Sequence, residues 1–189
     1  MSNEPITVYI NFIAEINDKT SSLLIYLLTE QLRAGTKNFR INISSNGGRV
    51  FNAVSIHNFL IGLKDVTIHT HNLGQIDSSA NLIFLSGGRR TASKASTFLL
   101  HPPQMIIQGQ SMMPIDLLTE RLESLIKDQS KMVEIISSKI GKDPELVTKM
   151  FSERKTYSSM EAKSLGFINE IEEFVASPGL PIFSITNQS

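Results

Sequence analysis

Residues 39–60 read FRINISSNGGRVFNAVSIHNFL and combine, in order, the patterns of a strand, a tight turn and a helix. From Phe39 to Ile43, apolar side chains alternate with polar ones, which is the period of a strand with one buried face. Gly47-Gly48 marks the turn, and the segment Val50–Leu63 after it has the length and apolar content of a helix. The stretch therefore predicts the first part of a βα unit.

Similar patterns lie on both sides of this unit. Strands are predicted at Thr7–Phe12, Val66–Thr70 and Thr97–Leu100, and helices at Ser21–Arg33 and Leu82–Leu85. Strands that alternate with helices predict an α/β fold with parallel strand pairs. In such sheets, ligand-binding and catalytic residues usually lie at the carboxyl ends of the strands.

Three motifs follow predicted strands directly. Gly47-Gly48 comes after the second strand, and Ser78 follows the third, within residues 74–80, GQIDSSA. His101 follows the fourth strand, which ends at Pro102 because proline has no N–H for the ladder. We expect these motifs to converge at one edge of the sheet.

The last third of the chain is predicted to be mostly helical. Apolar residues recur at helical spacing from Pro114 to about Ile140, a long helix for a chain of this size. Such a helix packs either against a partner subunit or into the core, and the sequence favours neither. Asp143-Pro144-Glu145 begins another helix, Ser159–Leu165 forms a short one, and Phe167–Ile171 is predicted as the last strand.

Composition predicts one compact domain, residues 1–189, and excludes several classes of function. The 18 Lys and Arg residues balance the 18 Asp and Glu residues, so we expect no nucleic acid or acidic membrane surface as partner. The absence of cysteine excludes disulfides, thiolate catalysis and Cys-based zinc sites. The first residues lack a signal-peptide pattern, and the longest apolar runs, such as Leu23–Leu28, are too short to span a bilayer. We expect a soluble, cytoplasmic protein.

The converging motifs contain the parts of a serine nucleophile site. Serine attack needs a hydroxyl, a base and N–H donors for the oxyanion. Ser78 precedes a predicted helix, so the N–H of Ser79 is expected to be free, and Gly47-Gly48 offers further N–H groups without side chains. Each feature alone has a commoner structural explanation, as a helix cap, a turn or a strand end. Their combination favours catalysis by Ser78 with His101 as the base.

The order of these motifs resembles that of the ClpP peptidase family. Residues 41–48 resemble the family's strand and Ser-Pro-Gly-Gly turn, although Asn46 replaces the usual proline. Residues 74–80 resemble its nucleophile motif Gly-Gln-Ala-Ala-Ser-Met-Gly, which assigns the nucleophile to Ser78. Residues 99–103 resemble its Met-Ile-His-Gln-Pro segment, which assigns the base to His101.

The resemblance covers roughly Tyr9 to Ile171. Residues 158–162 resemble the family's closing Ser-Ala-Glu-Glu-Ala segment, and residues 165–168 its Gly-Leu-Val-Asp pattern. The resemblance implies the ClpP/crotonase-type fold, with a head of βα units and a handle helix at about residues 114–140.

The resemblance also implies an activity. Peptide bonds are hydrolysed through an acyl-enzyme: Ser78 attacks, His101 shuttles the proton, and the N–H groups of Gly48 and Ser79, with Gly47 beside them, hold the oxyanion. No cofactor or metal is implied. Family members form rings whose handle helices meet between rings, and an ATP-driven unfoldase feeds them unfolded protein.

Three positions depart from the family pattern. Counting back from residues 158–162, the triad aspartate falls on Arg154, and an arginine cannot stabilise a histidinium. The neighbouring Glu153 is the candidate carboxylate. Asp77 stands where a small apolar residue is usual, and its charge is expected to disfavour a nearby oxyanion. Asn81 is part of a replacement for a Gly-Ala pair and is expected to be a small steric change.

Two alternatives therefore stay open beside the peptidase. The first is a catalytically weak or inactive ClpP-like subunit that is kept for assembly, which Arg154 and Asp77 favour. The second is a crotonase-type acyl-CoA hydratase or isomerase, which shares the fold and the oxyanion geometry without needing a serine–histidine pair.

Four other features are interpreted as structural or peripheral. His69 and His71 share a strand face, have no evident third metal ligand and are expected to be exposed. Arg89-Arg90 is expected to be a solvated basic turn. Lys94 is an alternative base to His101 but is better explained as a surface lysine. Residues 108–111 align loosely with the family strand that binds extended peptide.

Overall fold

A computed structural model of the chain describes residues 7–105, 112–176 and 179–188. Within them, strands and helices alternate from Thr7 to Phe84, as the sequence predicts. The strands are β1 (Thr7–Ile13), β2 (Asn38–Ser45), β3 (Thr67–Asp77), β4 (Arg89–Ala92), β5 (Thr97–Leu99), β6 (Thr156–Ser158), β7 (Glu170–Ile171) and β8 (Ile182–Thr186). The helices are α1 (Asp18–Arg33), α2 (Val50–Gly62), α3 (Ala80–Phe84), α4 (Ile115–Ile140), α5 (Pro144–Glu153) and α6 (Ser159–Leu165).

All these strands belong to one mixed sheet. Its main path runs β6-β5-β3-β2-β1-β8, while β4 pairs with β3 and β7 pairs with β4. Every pair is parallel except β5–β6, which is antiparallel. The predicted α/β fold with parallel pairs is thus confirmed. On one edge of β3, β4 pairs with His69–Asn72 and β5 pairs with Gln75–Asp77.

The two faces of the sheet differ in polarity. On one face, Ile10 and Ile41 pair directly, and both are fully buried in the core with residues of α1 and α2. On the other face, Asn11, Asn42 and His71 lie side by side on three strands, and the Asn42 amide donates to Asn11 Oδ1 at 2.8 Å. The core therefore lies on the helix side of the sheet.

The predicted end of the third strand at Thr70 is wrong, because β3 continues to Asp77. Asn72 and Gly74 interrupt the apolar pattern but stay within the strand. The side chain of Asn72 donates to Thr97 O at 2.8 Å and accepts from Gly74 N–H, so it connects β3 to β5. The first four residues of the segment 74–80 are consequently strand and not turn.

Arg89-Arg90 is not a solvated basic turn, because both residues begin β4. The Arg90 guanidinium is half-buried and donates to Phe167 O at 2.8 Å. Arg89 forms ion pairs with Glu170 and Glu172. These contacts attach the carboxyl-terminal segment to the sheet.

The predicted last strand, Phe167–Ile171, is too long, since β7 contains only Glu170–Ile171. It is also not the last, because β8 follows and pairs with β1. Neither β8 nor the three-residue β6 was predicted. The three residues of β6 are too few to display an alternating pattern.

The long helix α4 is divided between two environments. In its carboxyl-terminal half, Met132 and Ile136 are fully buried in the core. In its amino-terminal half, Leu118, Leu122 and Ile126 are 45%, 57% and 55% exposed. One half of the apolar stripe therefore packs on the subunit and the other half faces outward. In the part of the chain that the structure describes, no helix has the length and apolarity to cross a bilayer.

His69 and His71 are not exposed, contrary to the prediction. His71 is fully buried, and a ring nitrogen of each histidine lies 2.8 Å from the Thr91 hydroxyl. Burial, with the nearby Arg40 guanidinium, lowers the pKa of both histidines to about 4. Among the described residues, no group of three or more His, Cys, Asp or Glu could hold a metal ion.

Candidate active site

The three motifs singled out in the sequence come together at the carboxyl end of the sheet. Ser78 follows β3 directly, His101 lies two residues beyond β5, and Gly47-Gly48 lies shortly after β2. Ser78, His101 and Gly48 line one cavity of about 700 Å³. The predicted convergence of these residues is therefore present in the structure.

Ser78 adopts an unusual backbone conformation. Its φ is 54°, in the left-handed region that residues other than glycine rarely enter. The Ser78 N–H donates to Leu99 O at 2.9 Å, and its carbonyl accepts from Asn81 N–H at 3.2 Å. Such strain costs on the order of 1–3 kcal/mol and persists where the surroundings enforce it. The turn between β3 and α3 thereby presents Ser78, which is only 8% exposed, to the cavity.

The Gly47-Gly48 turn packs directly against the serine turn. A Cβ on Gly47 would lie 2.8 Å from both Asp77 O and Ser78 Cβ, and one on Gly48 would lie 2.1 Å from Ile16 O. Gly48 also has a φ of 149°, which disfavours any side chain. Only glycine at both positions allows this approach.

The backbone N–H groups of two residues near Ser78 are available to a ligand. Among the described residues, no hydrogen bond uses the N–H of Gly48 or of Ser79. The Ser79 hydroxyl donates to Gly48 O at 3.1 Å, which connects the two segments. Unpaired N–H groups beside a nucleophile are suited to bind an oxyanion.

The ring of His101 has a defined tautomer. His101 Nδ1 lies 2.9 Å from Pro102 O. Because a carbonyl oxygen only accepts, Nδ1 carries the proton and Nε2 keeps a free lone pair. Within the described ranges, no hydrogen bond joins His101 to Ser78, although both line the cavity. Nε2 is thus the atom available to take a proton from a substrate-facing hydroxyl.

The structure does not bring Glu153 to His101. Glu153 lies at the end of α5, is exposed and forms an ion pair with Lys149 at 3.8 Å. The β5–β6 pairing ends at Leu99 and Thr156. Arg154 lies outside it, at the left-handed cap that ends α5. The chain position where the family resemblance expects the aspartate is therefore held by an arginine.

Asp77 is a half-buried carboxylate at the carboxyl end of β3. Burial raises the pKa of the Asp77 carboxyl, and the charge of His101 lowers it. Asp77 does not line the cavity that holds Ser78 and His101.

The wall of the cavity includes residues that the sequence did not reveal. Leu125 and Asp128 of α4 form one side, and Glu15 lies on another. Asp128 contacts Lys131 at 3.6 Å. No sequence pattern could assign these residues, because they reach the cavity only through the packing of α4.

A second cavity, of about 500 Å³, adjoins the first along the glycine turn. Ser44 and Gln75 line it, and it shares Glu15, Asn46 and Gly48 with the first cavity. The Gln75 amide donates to Asn46 Oδ1. Together the two cavities form an elongated depression that passes the serine turn. The segment 108–111, predicted to contact peptide, lies outside the described residues.

Asn81 has a larger structural role than the predicted steric change. Its buried amide nitrogen lies within hydrogen-bonding distance of the carbonyls of Ile76, Ser78 and Leu99, at 3.3, 3.0 and 3.1 Å. Asn81 therefore fixes the serine turn to the ends of β3 and β5. The signal in the sequence was a single amide in the apolar run that forms α3.

Lys94 lies away from this site. Its side chain is exposed, its N–H donates to Glu173, and its carbonyl accepts from the Ser159 hydroxyl at 2.9 Å. Lys94 does not line the cavity of Ser78 and His101. This agrees with its interpretation as a surface lysine.

Comparison with known proteins identifies the family. The model of the Clp protease family matches residues 4–174, so the chain belongs to that family. A relative is the ATP-dependent Clp protease proteolytic subunit of Pleurastrum terricola, 25% identical over 150 residues, which span 78% of this chain and 72% of the relative. A similar solved structure is that of a ClpP1 point mutant from Listeria monocytogenes, with a TM-score of 0.75 and 23% identity, covering 89% of this chain and 91% of that one. The predicted ClpP-type fold and family are confirmed.

Proposed function

We propose that this protein is a serine peptidase that hydrolyses peptide bonds through an acyl-enzyme on Ser78. The observation that carries the proposal is the left-handed turn of Ser78, which opens on a cavity that also contains His101 and the glycine turn at Gly48. A strained nucleophile, a base with a free nitrogen and unpaired N–H groups are the parts that acyl transfer needs. Membership in the Clp protease family supports the same reaction.

Each site residue has one role in this reaction. Ser78 Oγ attacks the carbonyl carbon of the scissile bond, and its proton passes to His101 Nε2. The N–H groups of Gly48 and Ser79 bind the oxyanion that forms. The intermediate collapses when His101 gives the proton to the leaving amine. Water, deprotonated by His101, then attacks the acyl-enzyme, and Ser78 is released with its proton restored.

Labelling with a fluorophosphonate tests this proposal. The reagent phosphonylates an activated serine, so the wild-type protein should gain one covalent label at Ser78. Ser78→Ala should not be labelled, and His101→Ala should be labelled much more slowly. Intact mass and peptide mapping measure the modification. Ser22→Ala, which removes an exposed hydroxyl from α1 far from this motif in the chain, is the matched control for non-specific reaction with a serine.

The competing function is an inactive subunit kept for assembly, and the arginine at position 154, where the family resemblance expects the aspartate, favours it. A folded wild-type protein that resists labelling at high reagent concentration would refute the peptidase and support this alternative. Binding of an acyl-CoA thioester would instead support the hydratase, against which membership in a peptidase family already argues.

We further propose that the subunits assemble into rings in the cytoplasm and receive unfolded protein from an ATP-driven partner. The exposed apolar half of α4 supports assembly, because an apolar stripe of this kind is normally covered. The relative from Pleurastrum terricola is named as the proteolytic subunit of an ATP-dependent protease, which supports the partner. Sedimentation velocity of the purified chain tests the ring, since a stable monomer would contradict it.

A further inference from the structure

The base His101 lacks a carboxylate at the place where the sequence predicts one. When His101 accepts the proton of Ser78, its ring becomes a cation inside a partly enclosed site. A nearby negative charge stabilises such a cation and so lowers the barrier. Arg154 is itself a cation, and Glu153 is paired with Lys149. Asp77, at the end of β3, is another candidate carboxylate.

The β3–β5 register sets Asp77 close to His101. Asp77 pairs with Leu99, two residues before His101, on the adjacent parallel strand. Neighbouring strands lie about 4.8 Å apart and each residue advances about 3.3 Å, so the two backbone positions are within about 8 Å. The side chains of an aspartate and a histidine can span that distance.

Both side chains project from the same side of the sheet. Ile76 and Phe98 pair with each other and are buried in the core, so their neighbours Asp77 and Leu99 point the other way. Leu100 is again fully buried, which returns His101 to the side of Leu99 and Asp77.

The carboxylate of Asp77 is not engaged by another cation. Among the described residues, no hydrogen bond or ion pair involves its side chain, and the facing charge that influences it is that of His101. The ring of His101 shares the cavity with two further carboxylates, Glu15 and Asp128. Asp128 already contacts Lys131, whereas Asp77 is half-buried and free to respond to His101.

We propose that Asp77 is the positioning residue for His101, its carboxylate stabilising the imidazolium that forms when His101 accepts the Ser78 proton. The inference rests on the proposed peptidase function. Asp77 exchanges no proton: the proton moves from Ser78 Oγ to His101 Nε2 and then to the leaving amine. From the sequence alone, the charge of Asp77 beside Ser78 is expected to disfavour the oxyanion. The cation that forms on the His101 ring offsets this effect.

The test compares Asp77→Asn with the wild type in the pH dependence of fluorophosphonate labelling. The amide keeps the size of the side chain and removes its charge. We expect the plateau rate to fall about tenfold and the acid limb of the pH profile to move to lower pH. Asp65→Asn is the matched control, since Asp65 is exposed and precedes the opposite end of β3. Identical profiles for Asp77→Asn and the wild type would overturn the proposal.

Two NMR titrations make the test independent of activity. In a Ser78→Ala background, the midpoint of the His101 ring resonance should move to lower pH when Asp77→Asn is added. Conversely, His101→Asn should raise the pKa of Asp77, because the charge of His101 lowers it. An unmoved ring midpoint would refute the pairing. If the reagent never labels Ser78 of the wild type but the His101 midpoint still moves, the proposed peptidase is refuted and the pairing of Asp77 with His101 is supported.

Discussion

Backbone geometry, more than side-chain chemistry, defines the position of Ser78, the proposed nucleophile. Ser78 is held at a positive φ by Leu99 and Asn81, and Gly47-Gly48 packs against its turn without side chains. Any change at those glycines acts on Ser78 through direct steric contact. The site therefore has residues that are essential without being chemically reactive.

At Gly48, we predict that substitution by alanine destabilises the protein and blocks labelling. The new Cβ would lie 2.1 Å from the backbone oxygen of Ile16, and a backbone atom cannot easily move away. We expect Gly48→Ala to lower the free energy of unfolding by about 2–4 kcal/mol in urea denaturation. Gly62→Ala, where nothing lies within 4 Å, should be neutral or up to about 1 kcal/mol stabilising. Equal stability of the two variants would contradict this account.

At Arg154, we predict that aspartate increases the reactivity of Ser78. The resemblance to the family assigns the triad aspartate to this position, and the left-handed conformation of Arg154 is one that Asp tolerates well. A carboxylate there would stabilise the imidazolium, so Arg154→Asp should be labelled about tenfold faster than the wild type. Arg154→Ala separates loss of the cation from gain of the anion. If both variants react equally fast, a carboxylate at position 154 does not increase the reactivity of Ser78.

The positions of some of these residues in the site could be predicted from the sequence, and those of others could not. Ser78, His101 and the Gly-Gly turn each end a strand pattern, so their convergence follows from the rule for parallel sheets. The proximity of Asp77 to His101 and the contacts of Asn81 depend on the β3–β5 register, which joins segments some distance apart and has no local signal. The end of β3 was misplaced because Asn72 and Gly74 resemble turn residues but stay within the strand, where the Asn72 side chain bonds both Gly74 N–H and Thr97 O.

At the scale of secondary-structure elements, the two halves of α4 lie in different environments. Its carboxyl-terminal half completes the core, whereas its amino-terminal half exposes an apolar stripe. The periodicity of the sequence predicted the whole helix correctly. The periodicity does not distinguish the two halves, because apolar residues at the same helical spacing can face either a core or an exposed surface.

Matched substitutions on α4 should separate these two roles. Ile136→Ala removes buried methyl groups and should lower the free energy of unfolding by about 2–4 kcal/mol. Leu122→Ala, at a position 57% exposed, should leave the fold of the subunit unchanged and reduce its assembly. Circular dichroism with urea measures the first effect, and sedimentation velocity measures the second. Loss of assembly in neither variant would exclude α4 from the subunit interface.

At the scale of the whole molecule, the buried histidines make the fold sensitive to acid. The pKa values of His69 and His71 are lowered to about 4 by burial and by Arg40, against 6.5 for the free side chain. Between these pH values the unfolded chain binds protons that the folded chain does not. Stability is therefore complete above pH 6.5 and falls as the pH decreases towards 4.

We predict that unfolding takes up about two protons across this range, one for each of these histidines. Urea denaturation at intervals from about pH 4.5 to about pH 7.5 measures the slope. The double variant His69→Gln, His71→Gln should reduce the slope, leaving the contribution of His57, whose pKa is also lowered by burial. Glu161, whose pKa is lowered to about 2 by Lys155 and Ser158, adds to the same trend only below about pH 4.5. A pH-independent unfolding free energy in the wild type would contradict the prediction.

The antiparallel pairing of β5 with β6 also bears on how the protein is made. Leu99 meets Thr156 only after α4 and α5 have been synthesised, since both helices lie between these strands in the chain. A growing chain on the ribosome can build the Ser78 turn and the glycine turn early, from β2 and β3. The strand that leads to His101, β5, gains its outer neighbour only when β6 emerges. We therefore expect nascent chains that stop before β6 to be unreactive towards a fluorophosphonate.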